Sequence, residues 1–314
     1  MPMVVSNPLT RALGFTSNPH VQLATYYRHR TLRAGAVIDG VLFDTADLAS
    51  RDGPPDGADW ASTKKLVAGG PAVWSALAAA AKRTEPVAKL SELRLGPPIP
   101  DPDKILCLGL NYRAHAAESK EETPTVPVLF AKFRNSLVGH CEPVAIPAIT
   151  KAADYEAELA VVIGRRCRNV TAAEAMGYVG GAMPFNDVSA RDMQHATSQW
   201  TAGKAVDGFA PCGPTLTLTD ELPDLQNLRI STRVNGVVVQ DASTASMIFP
   251  IAEAVAFISS FMTLEPGDII ATGTPAGVGI SRDPQLLLGD GDVVEVEIQG
   301  LGRLTNRFVA EARP

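Results

Sequence analysis

The sequence predicts an α+β fold built mainly from short strands. Three observations carry that expectation. The 314-residue chain holds 26 glycines and 24 prolines, which favours many turns over a helix bundle. Asp39-Gly40 and Asn235-Gly236 each separate two β-type runs, the pattern of a tight hairpin. Helical patterning comes only in short stretches between such runs.

In chain order, residues 1–30 are weakly patterned and are expected to be extended or loosely docked. Arg33 to Asp44 is the first hairpin, and residues 53–59 are a Gly/Pro/Asp-rich loop. The alanine-rich stretch from Pro71 to Arg83 predicts a helix, with Pro71 in its first turn. Gly96-Pro97-Pro98-Ile99-Pro100-Asp101-Pro102 reads as a stiff linker. It divides a small N-terminal α+β domain, 1–98, from a larger domain, 99–314. The larger one opens on a strand, Lys104 to Gly109, and continues through Asn111 to Ser119. The polar stretch from Ser119 to Thr125 is a candidate mobile lid. Pro127 to Val138 carries Lys132 and Arg134 among apolar residues. The apolar run after Glu158, stopped by Gly164, predicts a buried strand. Thr171 and Glu174 form a capping box. Ser189 to Trp200 looks helical and polar, and Lys204 lies in a turn-rich loop. Ile230 to Val239 is the second hairpin, and Pro250 to Phe261 an amphipathic helix. Thr272 to Gly279 is a small-residue loop. Val293 to Ile298 alternates and closes the domain as a strand.

Apolar residues make up 46% and charged residues 20%, ordinary for a globular enzyme. The net charge of −6, with no Lys/Arg cluster, argues against a nucleic-acid partner. An acidic chain draws few anions from afar, so a carboxylate substrate must be held by a local cation or metal. Cys107, Cys141, Cys167 and Cys212 are widely spaced and support neither a zinc site nor a disulfide framework. No signal-peptide succession or membrane-length apolar run is present, so the expectation is a reduced, cytoplasmic protein without a membrane partner.

The chemistry concentrates between Asp154 and Asp187. Side chains on a strand alternate, so Glu156 and Glu158 share a face. Two adjacent carboxylates at the start of a buried strand repel each other and are costly to desolvate. A cation between them resolves this, and oxygen-only ligation suits Mg²⁺, or else Mn²⁺ or Ca²⁺. Asp187, ending another apolar run, is the natural third ligand. An isolated Glu-x-Glu is more often a solvated edge, and the neighbouring residues tip the balance. His115 and Glu118, three apart, share a face on one helical turn and make a workable general-base unit; a surface contact is the alternative. Lys204 could neutralise an enolate or a substrate carboxylate, or be a solvated lysine. The loop Gly273 to Gly279 lacks phosphate-loop and dinucleotide glycine spacing. It permits close backbone approach to a ligand at Gly273, with Thr272 and Thr274 as donors, or is an ordinary turn.

Together these segments resemble the fumarylacetoacetate hydrolase superfamily across roughly Lys104 to Val309. The matching segments include Gly109-Leu110-Asn111-Tyr112 with His115 and Glu118, and Asp154-Tyr155-Glu156-Ala157-Glu158-Leu159. They continue with Asn186-Asp187-Val188-Ser189-Ala190-Arg191-Asp192, Lys204 with Asp207-Gly208-Phe209, Asn235-Gly236, Met262 to Asp268, and Gly273 to Gly279. The sequence departs at Asp241-Ala242-Ser243-Thr244 and at Phe133, where relatives often carry glycine and proline. The hairpin around Asp39-Gly40 is similar to the small domain of two-domain members.

The resemblance implies a mixed β-sandwich or roll with short flanking helices, assembled as a homodimer. It implies Mg²⁺ or Mn²⁺ on Glu156, Glu158 and Asp187, a lid carrying His115 and Glu118, and Lys204 beside the reacting carbonyl. It places Arg191, Gln194 and Thr274 against substrate. The expected activity is metal-dependent hydrolysis of a C–C bond in a 2,4-dioxo acid, an acylpyruvate or a fumarylacetoacetate-like ring-cleavage product, through an enolate. The same site could instead decarboxylate or isomerise a 2-oxo acid of the oxaloacetate or 2-oxo-hexenedioate type. A catalytically silent metal- or ligand-binding scaffold is the remote alternative.

Overall fold

The computed structural model describes residues 20–52, 59–219, 222 and 224–311. Two sheets share a core. The larger runs, edge to edge, through Ala88–Lys89, Val41–Asp44, Thr31–Ile38, Val21–Arg28, Leu216–Leu218, Val179–Asn186, Ala157–Ile163, Ile269–Ala271, Ile105–Gly109 and Val128–Lys132; Leu95–Gly96 also pairs with Val21–Arg28. Its pairs are antiparallel except Ile269–Ala271 with Ile105–Gly109. The smaller sheet orders Val237–Ser243, Arg229–Val234, Val293–Ile298, Gly302–Ala310 and Val144–Ile146.

The strand Ala157–Ile163 lies near the middle, and every residue in it is buried. A strand covered on both faces needs a continuous apolar run, and Leu159-Ala160-Val161-Val162-Ile163 supplies one. Ala160 and Val162 face a core shared with Ile105, Met183 and Ile269 and with Leu66, Trp74 and Leu77 of the N-terminal helices. Leu159, Val161 and Ile163 face the other core, with Ile230, Val296 and Leu304 of the smaller sheet and Val255 and Ile258 of the helix Ile251–Phe261. Helices Thr63–Ala68 and Gly70–Ala81 thus cover one face of the large sheet, and the second sheet covers the other. The result is a mainly β, mixed sandwich with short flanking helices, as the sequence predicts. Both hairpins turn where expected, with Asp39, Gly40, Asn235 and Gly236 all at positive φ. The Thr171–Glu174 capping box is formed.

Three expectations give way. Residues 21–28 are not loosely docked. Val21–Arg28 is an interior strand of the large sheet, pairing Leu23 with Leu216 on one side and Thr31–Ile38 on the other. Its period is masked by Tyr26, whose hydroxyl donates to buried Asp44 at 2.5 Å. Residues 1–19 and the loop 53–58 lie outside the described residues. Ser189 to Trp200 is not one helix. Ser189–Ala190 pairs with Ala153–Asp154, Arg191–Gln194 makes a single turn, and the helix resumes only at Thr201–Lys204. Between the turns the Thr197 hydroxyl bonds the Gln199 backbone, a local turn that competes with helix. Val293–Ile298 is not the last strand, because Gly302–Ala310 follows it. There Asn306 occupies an inward position, donating to the carbonyls of Gly139 and Glu142 at 2.8 Å each. A polar residue on the buried face hides the alternation.

All four cysteines are free. No helix among the described residues is long and apolar enough to cross a membrane.

Candidate active site

The antiparallel register sets the site. Ala157 pairs with Asn186, so the start of one central strand meets the end of its neighbour. The Asn186 side chain accepts from the Glu156 amide at 3.0 Å, and the Glu156 carbonyl accepts from the Asp187 amide at 2.9 Å. Glu156, Glu158 and Asp187 converge, one oxygen of each lying within 4.8 Å of the others. Glu158 and Asp187 are fully buried, and Glu156 reaches a cavity.

Cations surround the carboxylates. Lys204 Nζ donates to Glu156 Oε2 at 2.9 Å and to Asp187 Oδ2 at 2.7 Å. Lys132 Nζ donates to Asp187 Oδ1 at 2.5 Å and to the Val188 carbonyl at 2.9 Å. Arg191 pairs with Asp154 at 2.8 Å and with Glu156 at 2.6 Å. Burial pulls Lys132 down, only partly countered by Asp187. Burial also acts against the Lys204 charge, but Asp187 and Glu156 outweigh it and raise its pKa. Glu156 would be raised by burial, yet Lys204 and Arg191 hold it below the usual carboxylate range. Glu158 is pushed well up, by burial first and then by the charges of Asp187 and Glu156.

Four buried carboxylates, Asp154, Glu156, Glu158 and Asp187, thus face three buried cations, Lys132, Arg191 and Lys204. The surplus negative charge falls on Glu158, whose carboxylate, among the described residues, accepts one hydrogen bond, from the Gly273 amide at 2.9 Å. An all-oxygen donor set with excess negative charge fits a hard divalent cation. Glu156, Glu158 and Asp187 are the residues that would hold it.

A cavity of about 380 Å³ adjoins the cluster, within the size range of small-molecule sites. His115, Glu156, Arg191, Gln194, Lys204 and Thr274 line it. His115 sits on the short helix Arg113–Glu118, and its Nδ1 lies 3.4 Å from Glu118 Oε2. The Gly277 amide fixes Glu118, donating to its two oxygens at 3.0 and 3.1 Å. With Nδ1 turned to Glu118, Nε2 is the ring nitrogen left for substrate. Arg191 Nη2 is buried and has no hydrogen-bond partner among the described residues, and Nη1 donates to Gln194 at 3.0 Å.

The glycine loop divides its work. Gly273, at φ +92°, binds Glu158 and does not line the cavity; a Cβ there would stand 2.7 Å from Asn111 Cβ. Thr272 donates its hydroxyl to the Leu159 carbonyl at 2.7 Å. Thr274 lines the cavity and accepts from Gln240 at 2.9 Å. Lys132 and Asp154 carried no role in the sequence reading. The signal for Lys132 was a lysine ending an apolar strand two residues after Phe130, where alternation sends it to the buried face.

Gly203 lets the Lys204 turn press against Arg191–Gln194. A Cβ there would stand 2.5 Å from the Ala190 carbonyl oxygen and the Gln194 amide nitrogen. Gly203→Ala is expected to cost about 1–3 kcal/mol of stability and to lower turnover by moving Lys204. Thermal unfolding alongside kinetics checks both; an unchanged melting temperature would contradict the tight packing.

Residues 104–309 match the family model described as Fumarylacetoacetate (FAA) hydrolase C-terminal. Oxaloacetate tautomerase Fahd2a, mitochondrial, of Rattus norvegicus is 43% identical over 225 residues, 71% of this chain and 72% of that protein. A fumarylacetoacetate hydrolase from Exiguobacterium antarcticum is 33% identical, with a TM-score of 0.76 over 93% of this chain and 100% of that one. A maleylpyruvate hydrolase from Sphingobium sp. SYK-6 is 30% identical, with a TM-score of 0.76 over 92% of this chain and 100% of that one.

Proposed function

Because the chain belongs to the fumarylacetoacetate hydrolase family, we propose that it is a metal-dependent enzyme interconverting the keto and enol forms of a 2-oxo acid. The observation that carries this reading is the buried carboxylate triad, its oxygens within 4.8 Å of one another, beside a cavity walled by His115 and Lys204. The choice of tautomerisation over hydrolysis leans on the rat and human relatives described as oxaloacetate tautomerases.

A divalent ion, Mg²⁺ in the first place, would supply Lewis acidity that favours negative charge on the 2-oxygen. Lys204 adds a fixed positive charge at the same place, held by Glu156 and Asp187. Arg191, which lines the cavity, is the cation assigned to the substrate carboxylate. His115 takes the proton from C3 through Nε2 while the 2-oxygen gains one from solvent, and both transfers reverse in the opposite direction. Glu118 orients the imidazole, its Oε2 lying 3.4 Å from Nδ1. We further propose a homodimer, as the resemblance implies.

The test follows enolic oxaloacetate by its ultraviolet absorbance. Purified protein with Mg²⁺ should remove the enol faster than free Mg²⁺ does, and a chelator should abolish the gain. Equal rates with and without protein would overturn the reading. A second reading, C–C hydrolysis, is favoured by the His115–Glu118 pair, which could equally activate water. Mass spectrometry separates the two: metal-dependent release of pyruvate and a free acid from an acylpyruvate marks the hydrolase. Pyruvate formed from oxaloacetate above the free-metal rate marks a decarboxylase.

A further inference from the structure

The carboxylate cluster uses only part of the cavity. The rest is walled by Leu108, Val128, Phe130, Trp200, Val278 and Ile280. Phe130 lies directly beside the charged centre, with Lys204 Nζ 4.9 Å from its ring centroid. Trp200 meets Phe130 edge to face, 5.4 Å between centroids and at 66°. Gly109 permits this placement, since a Cβ there would stand 2.6 Å from the indole ring. The Trp200 carbonyl accepts the amides of Gly203 and Lys204 at 3.0 and 3.1 Å, tying the wall to the turn that carries the lysine. Both rings are partly accessible, so they are surfaces for a ligand.

A four-carbon diacid would leave the aromatic wall uncovered.

We propose that the Phe130–Trp200 wall admits 2-oxo acids bearing a planar aromatic substituent on C3, and that the enzyme tautomerises arylpyruvates as well as small 2-oxo acids. This rests on the tautomerase reading. The reaction needs no co-reactant: the C3–H bond breaks, an O–H bond forms on the 2-oxygen, and the C=O π bond becomes C2=C3. The enol is conjugated with the ring and therefore flat, a shape that lies against an aromatic face.

The experiment measures kcat/KM for enolic phenylpyruvate and enolic oxaloacetate, with Mg²⁺, in the native chain and in Trp200→Leu. Phenylpyruvate should be handled within about ten-fold of oxaloacetate, and Trp200→Leu should lower the phenylpyruvate-to-oxaloacetate ratio roughly five- to ten-fold. Circular dichroism checks that the variant folds, and Phe130→Leu gives a second measure of the ratio. Turnover of oxaloacetate with rejection of phenylpyruvate, or a ratio untouched in both variants, overturns the proposal. A parallel titration follows phenylpyruvate binding by isothermal calorimetry, a readout that does not depend on Trp200. Binding lost in Trp200→Leu, with neither acid turned over, would uphold the aromatic subsite and overturn the tautomerase reading. Neither binding nor turnover would overturn both.

Discussion

Asp187→Ala is expected to lower turnover by at least about 10³-fold and to destabilise the folded chain by about 3–5 kcal/mol. The two effects share one cause. Asp187 has no solvent exposure, and each of its oxygens is taken by a buried lysine, Lys132 on one side and Lys204 on the other. Its removal leaves Lys132 buried with only the Val188 carbonyl as partner. It also takes one of three oxygens from the cation site and frees Lys204 to swing toward Glu156. Asp187→Asn separates the consequences. The amide oxygen still accepts from a lysine, so part of the stability should return, but the charge is gone and activity should not. Calorimetric Mg²⁺ titration and thermal unfolding of both variants read the two effects independently. An Asp187→Asn protein with native turnover would remove the aspartate from the cation site.

His115→Asn is expected to lower kcat by roughly 10²- to 10⁴-fold, the usual weight of a positioned general base. Mg²⁺ affinity and melting temperature should hardly move, because His115 is outside the carboxylate triad and touches it by no hydrogen bond. Glu118→Gln should give a smaller loss of kcat with KM little changed, since Gly277 can still hold a glutamine oxygen in place. If His115→Asn turned over enolic oxaloacetate at the native rate, the proton would have to move through another group.

Much of the site could be read from the sequence because its elements are local. Glu156, Glu158 and the apolar run behind them occupy one strand, and alternation alone puts the two carboxylates together. His115 and Glu118 share one helical turn. Asp187 was legible as the end of a second apolar run, although only the antiparallel register explains why it meets Glu156. What escaped is non-local. Lys132 reaches Asp187 from the edge strand of the sheet, 55 residues away in sequence. Asp154 is held by Gly279 and Arg191, which no periodicity links to it. The strands Val21–Arg28 and Gly302–Ala310 escaped for a different reason: Tyr26 and Asn306 place polar atoms on a buried face and satisfy them there, so pattern alone cannot mark them as buried.

The strand Leu216–Leu218 is only three residues long, and it joins Val21–Arg28 to Val179–Asn186. A chain trimmed to the family-matched residues would therefore lose more than an appendage. It would bare a row of unpaired amides and carbonyls beside the strand that delivers Asp187. It would also strip Leu66, Trp74 and Leu77 from the apolar face behind it. Such an open rim invites strand-to-strand polymerisation. The N-terminal segment thus covers an edge of the sheet that bears the site, and its loss is expected to surface first as aggregation, before any chemistry can be assayed.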